Sequence, residues 1–223
     1  MNWDLFEIAE LCARGIREED ARLSAEQAVR GVDALDELAV QTLVRDGIAL
    51  RHCVAAEQRY PVARARRRRS EGERCDIVVL PRDAGDGAHL IDPVEAGTLF
   101  AGRGVDPRDA LWLEVKCVWQ HAICDGVARA NPAYATQLVR LTGADVRKLA
   151  REDGVSWAAV VVVAFHATEA VAEHDLGVWR ARMIEQGLSG GTPIVERFAI
   201  ADRIGNGVCS VVMAPVRERP AFT

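Results

Sequence analysis

Three residues carry the chemistry that this sequence offers. Asp76 stands near the start of the apolar run "RCDIVVLP", and Glu114 and Lys116 interrupt a second one, "DALWLEVKCVWQ", residues 109–120. Burying a carboxylate or an ammonium costs several kcal/mol (roughly) unless it is paired or bound. Read as strands, both runs alternate between two faces, so Trp112, Glu114, Lys116 and Val118 share one face and Leu113, Val115 and Cys117 the other. Asp76 lies 38 positions before Glu114, and on neighbouring strands the two carboxylates would converge. Converging carboxylates repel each other unless a hard cation stands between them, and Mg²⁺ favours such a small set of oxygen ligands completed by water. The backbone carbonyl of Val115 is a further donor. Lys116 would then face a water or a phosphate, where it could orient a nucleophile or offset developing charge.

Taken alone, Glu-x-Lys on a strand is most simply an ion pair at a sheet surface. The reading as a site depends on Asp76 and on the elements around it. "LSAEQAVRGVDALDELAVQTLVRDG" opens on Ser24 with Gln27 three residues later, a capping-box pattern, and continues with Leu35, Leu38, Ala39, Thr42 and Leu43 at helical spacing up to Gly47. A strand region over 48–61 ends at Pro61, followed by a basic loop with Arg64, Arg66, Arg67, Arg68 and Arg69. After the Asp76 strand, residues 81–109 are rich in Gly, Asp and Pro and read as a long irregular excursion. The strand 111–119 follows, then a helix opened by Asn131-Pro132, with Ala135, Val139, Thr142, Val146 and Leu149 as its apolar stripe. Gln137, Arg140, Arg147, Lys148 and Arg151 fall on and beside another face, which reads first as solvated. "SWAAVVVVAFHA" is apolar throughout, as suits a central strand covered on both sides. A helix over about 170–187 and a hairpin signalled by Asn206-Gly207 complete the chain. The expected fold is α/β, a central mixed β-sheet flanked by helices on both faces. It forms a single domain over residues 1–223, with its core at about 24–165 and the last helix and hairpin at 170–215.

This order, with Asp76 on one strand and Glu114-Val115-Lys116 on the next, resembles the PD-(D/E)XK nuclease superfamily, whose fold is restriction-endonuclease-like. The likeness covers about residues 24–165. Cys75 stands where the motif has proline, and Gln137 is followed by Leu141 rather than tyrosine, so the Q-x-x-x-Y subgroup is not supported. The resemblance implies a Mg²⁺- or Mn²⁺-dependent nuclease that hydrolyses phosphodiester bonds, with DNA the preferred substrate. Asp76 and Glu114 would hold the metal with the Val115 carbonyl, and Lys116 would assist the attacking water. An extra acid from the first helix is common in the superfamily. Glu37 is the first choice, Asp33 and Asp36 are its rivals, and Glu57 on the preceding strand is another. The implied nucleic-acid contacts are the arginines of 64–69, together with Gln137 and Arg140. Many members act as homodimers, so a homodimer is an expected assembly, although no stretch identifies its interface. An inactive nucleic-acid or protein interaction module on the same fold is the alternative. It would be expected to have lost one of the three positions.

Composition sets bounds consistent with this. The chain has 223 residues, 49% hydrophobic and 27% charged, with a net charge of −5. That is ordinary for a globular protein, and it leaves room for a local basic groove because charge is screened beyond about 8–10 Å. The longest apolar run, Trp157 to Phe165, is too short to span a bilayer, and the N-terminus has no basic-then-apolar leader pattern. No membrane partner is expected, and a cytoplasmic location is. The six cysteines include no C-x-x-C pair and read as reduced. Cys117, His121 and Cys124 lack the second ligand pair of a structural zinc site, and the five histidines show no ligand spacing.

Overall fold

The computed structural model describes residues 3–61, 73–85, 88–91, 104–188 and 190–217. The arginines of 64–69 lie outside the described residues, as do residues 86–87 and 92–103 of the 81–109 excursion. Six strands form one mixed sheet: β1 (Cys53–Arg59), β2 (Arg74–Leu80), β3 (Leu111–Trp119), β6 (Trp157–His166), β7 (Ile194–Ala199) and β8 (Val208–Arg217), in the order β1-β2-β3-β6-β8-β7. β3 and β6 run parallel at the centre, and the remaining pairs are antiparallel. A small hairpin, β4 (His121–Cys124) and β5 (Val127–Ala130), stands apart from this sheet. The protein is therefore α/β, with a central mixed sheet covered by helices on both faces, as the sequence predicts.

β6 explains how the sheet is held. All ten of its residues are buried, and their alternation feeds two cores. Ala159, Val161, Val163 and Phe165 face helices α1 (Leu5–Ala25) and α2 (Glu37–Ala49), packing with Ile8, Leu11, Val40 and Val44. Ala158, Val160, Val162 and Ala164 face the other layer, built from α4 (Thr142–Ala150) and α5 (Glu169–Glu185) with Leu149, Trp179 and Met183. A run of β-branched residues buried on both faces is the pattern of a central parallel strand.

The first helices differ from the sequence expectation. α1 occupies residues 5–25, so Ser24 closes a helix rather than opening one. Asp4 caps α1 by accepting from the Phe6 and Glu7 amides. α2 begins at Glu37, where Asp36 accepts from the Ala39 amide at 2.8 Å. Gln27 adopts a positive φ of 52°, which breaks any helix running through the Ser24–Gln27 pattern. Gly47 is not a stop, since α2 continues to Ala49. It is a contact point: a Cβ there would lie 2.2 Å from the Leu11 carbonyl oxygen, and one at Gly15 would lie 2.2 Å from that of Leu43. The two glycines let α1 and α2 touch backbone to backbone.

Three further differences concern turns. The strand region expected over 48–61 begins only at Cys53, because α2 runs on to Ala49. Asn206-Gly207 is not a tight turn: residues 200–207 connect β7 to β8, whose first pair is Ala199 with Val208. The Asn206 side chain is buried. It accepts from the His121 amide and donates to the His121 carbonyl and to Asp33. The true two-residue hairpin turn is Asp125-Gly126, with φ of 54° and 79°, between β4 and β5. Two successive positive φ values are what the favoured hairpin turns require. Among the described residues no helix is long and apolar enough to cross a membrane.

Candidate metal and nucleic-acid site

β2 and β3 pair over Ile77–Leu113, Val78–Trp112 and Val79–Leu111. Continued one step, that register would set Asp76 opposite Glu114, and there the ladder stops. The Asp76 carboxylate takes over the ladder's role: its Oδ2 accepts from the Val115 amide at 2.7 Å. On the other side of β2, Glu57 has a positive φ of 54°, and the pair Glu57–Asp76 is missing from an otherwise regular β1–β2 register. The pleat slips at this point, so Cys75 joins Val78 and Leu80 in the α4–α5 core. A fork between two strands, lined by acids, results.

Glu114 and Lys116 both leave β3 here, but they do not pair with each other. Glu114 is only 5% exposed. Its Oε1 accepts from the Tyr60 hydroxyl and lies 2.9 Å from Lys148 Nζ. Lys116 Nζ donates to Glu37 Oε1 at 2.7 Å and stands 3.9 Å from Asp145 Oδ2. An ordinary Glu114–Lys116 ion pair is thus not what the strand carries. α2 delivers Glu37 by starting at that residue, and α4 delivers Asp145 and Lys148 three residues apart on one face. Gln41 Nε2, one turn into α2, approaches the Val115 carbonyl at 3.5 Å.

Four carboxylates and two ammonium groups therefore share the fork, leaving two negative charges uncompensated when all are ionised. Burial pushes the Asp76 carboxyl up to about 6. The Val115 N–H opposes this rise, and the charge of Glu114 adds to it. Burial also raises Glu114, against the pull of Tyr60 and Lys148. Asp145 is raised by burial as well, and the charges of Asp76 and Glu37 work in the same direction. Its Oδ2 is buried with no hydrogen-bond partner. Desolvation works against the Lys116 ammonium, but the hydrogen bond to Glu37 and the charges of Asp145, Glu37 and Asp76 outweigh it and hold its pKa above the usual range. Lys148 is desolvated too and is raised by Glu114.

Of the acids expected from the first helix, Glu37 reaches the site. Asp36 is spent on the α2 cap, and Asp33 is buried against Asn206. Glu57 is exposed on β1 and makes no part of the Lys116 or Lys148 pairings. Gln137 accepts from Asn131, and Arg140 is exposed beyond it. Both sit on a π-helical turn, Gln137–Leu141, which joins a short α3 (Tyr134–Thr136) to α4. Leu138 joins Thr142, Val146 and Leu149 on the buried face, Val139 packs half-buried against the same core, and Ala135 of the expected stripe is exposed. Tyr60, Asp145 and Lys148 are the site residues that the sequence reading missed. The one sequence signal for the last two is an acid and a lysine three apart on the helix after Glu-Val-Lys.

The donors in the fork are all oxygen, and they include an orphaned carboxylate oxygen and acids whose ionisation is opposed. That chemistry suits a hard divalent cation. Among the described residues, no three His, Cys, Asp or Glu side chains already stand in position to hold one. Lysines now fill part of that role. Comparison of the chain with family models, curated proteins and solved structures finds no match.

Proposed function

We propose that the protein is a Mg²⁺-dependent nuclease that hydrolyses phosphodiester bonds, with DNA as the preferred substrate, on a restriction-endonuclease-like fold. The observation that carries this reading is the fork itself. Asp76 and the Glu114-Val115-Lys116 segment meet where β2 and β3 stop pairing. Asp76, Glu114 and the Val115 carbonyl would hold the cation, with Asp145 as a further oxygen donor. When bound, the metal supplies charge neutralisation at the phosphate and lowers the pKa of a water.

The chain's own residues have definable parts. Lys116 keeps its proton at neutral pH because its partners are acids, so it serves as a hydrogen-bond donor and cation rather than a base. Glu37 fixes its ammonium from the α2 side. The Val115 N–H locks Asp76 through one oxygen and leaves the other for binding. Partial burial of the fork limits competing water, which strengthens the charge interactions within it.

One observation favours a second reading. Glu114 and Lys116 are already satisfied by Lys148, Tyr60 and Glu37, as a purely structural ion network would be. A non-catalytic interaction module for nucleic acid or protein would keep such a network. The two readings separate on incubation with plasmid, linear and single-stranded DNA and RNA, each with Mg²⁺, Mn²⁺ or EDTA. The nuclease cleaves with Mg²⁺ or Mn²⁺, stops in EDTA, and is silenced by Asp76→Ala and by Lys116→Ala. Cleavage that persists in EDTA, or in both variants, rules out the mechanism.

A further inference from the structure

We propose that Tyr60 is a positioning residue for the metal-binding carboxylate of Glu114, an inference that rests on the nuclease reading above. Tyr60 follows β1 and is 2% exposed. Its ring stacks on Trp112 with centroids 5.4 Å apart, and Lys148 Nζ lies 5.0 Å over the same ring. Its hydroxyl donates to Glu114 Oε1, the same oxygen that faces Lys148 at 2.9 Å. Lys148 is itself fixed at the foot of β2, donating to the Arg74 carbonyl at 3.0 Å.

Both donors thus grip one oxygen of Glu114, and the carboxylate cannot turn about its last bond without losing both. Oε2, which neither donor engages, is the oxygen left to face a cation. Ligand carboxylates are commonly oriented by such outer hydrogen bonds, and loss of one costs about 10–100-fold in metal affinity or activity. The phenol is suited to this task. A phenol is neutral and offers one O–H donor. Lys148 gives a grip of a different kind, since its charge also repels a metal. The neutral hydroxyl orients without that opposition.

Tyr60→Phe tests the proposal because it keeps the ring, the Trp112 stack and the Lys148 contact and deletes only the donor. Mn²⁺ binding is titrated calorimetrically on the whole protein for wild type, Tyr60→Phe and Asp76→Asn, with thermal melting to confirm folding. Single-turnover DNA cleavage by wild type and Tyr60→Phe is measured alongside. Expected are a roughly 10-fold or greater loss of Mn²⁺ affinity in Tyr60→Phe, a lower cleavage rate at saturating DNA, and an unchanged DNA affinity. Wild-type Mn²⁺ affinity in folded Tyr60→Phe, with binding lost in Asp76→Asn, overturns the positioning role and leaves the metal site standing. Tighter binding in Tyr60→Phe also overturns it, since the hydroxyl would then be a competitor. Binding unaffected by Asp76→Asn, or absent from wild type, overturns the metal-site reading itself and the inference with it.

Discussion

Asp76 Oδ2 accepts a hydrogen bond from the Val115 amide at 2.7 Å, at the point where β2 and β3 cease to pair. A side chain there substitutes for a strand. The backbone donor stays satisfied while the strands part, and the carboxylate gains a fixed direction without leaving the sheet. This one bond ties the acid of the first strand to the Glu-Val-Lys of the second.

The buried carboxyls give the protein a pH signature. Asp76 titrates near 4 when unfolded and at about 6 when folded, so the folded state binds its proton more tightly. Its contribution to stability is full below the unfolded value and is lost as pH rises through the folded one. Glu114 and Asp145 are shifted in the same direction. In EDTA, calorimetric melting temperatures should therefore fall between pH 5 and pH 7, and fall less in Asp76→Asn. Mg²⁺ at pH 7 should restore wild type and not the variant.

Lys116 is held by Glu37 at 2.7 Å and remains charged. Lys116→Met should lower the single-turnover cleavage rate by about 10²–10³-fold, the usual scale for removing one preorganised electrostatic group. DNA affinity, read by fluorescence anisotropy in Ca²⁺, should change far less. Glu37→Gln should give a smaller loss, because Asp145 still faces the ammonium at 3.9 Å.

Gly47 touches the α1 backbone, and an added Cβ would stand 2.2 Å from the Leu11 carbonyl oxygen. Backbone cannot swing aside as a flexible side chain can, so Gly47→Ala must separate the helices. The cost should be about 1–3 kcal/mol, the range for overpacking, and a melting temperature lower by several degrees.

Asn206 joins the β7–β8 connection to His121 and Asp33. Asn206→Ala removes the donor to buried Asp33 and both side-chain partners of the part-buried His121 amide and carbonyl. Urea unfolding should show a loss of about 1–3 kcal/mol with cleavage per folded molecule retained.

Much of this was legible in the sequence because burial writes itself as hydropathy. β3 appears at its observed bounds and β6 within one residue at either end, since mostly apolar runs leave few alternatives. The helix pattern was harder. Ser24 and Gln27 have the letters of a capping box, but a cap works only where the chain enters a helix, and here it leaves one. Asp125-Gly126 and Asn206-Gly207 carry equal turn signals, and tertiary contacts gave only the first a two-residue turn. Asp145 and Lys148 were hidden for a geometric reason. α4 keeps the expected Thr142, Val146 and Leu149 stripe, and only the position of β3 beneath shows that the charged residues beside it point inward. Tyr60 had no local signal at all, since its partner lies 54 residues away.

In the proposed nuclease, Asp76 and Glu114 share a divalent cation. The anomalous difference density of crystals grown with Mn²⁺ tests it most directly. A peak in the fork, about 2.0–2.2 Å from an oxygen of each carboxylate, is the predicted result. A well-ordered fork with no peak, in which Lys148 and Tyr60 alone still hold Glu114, would contradict it.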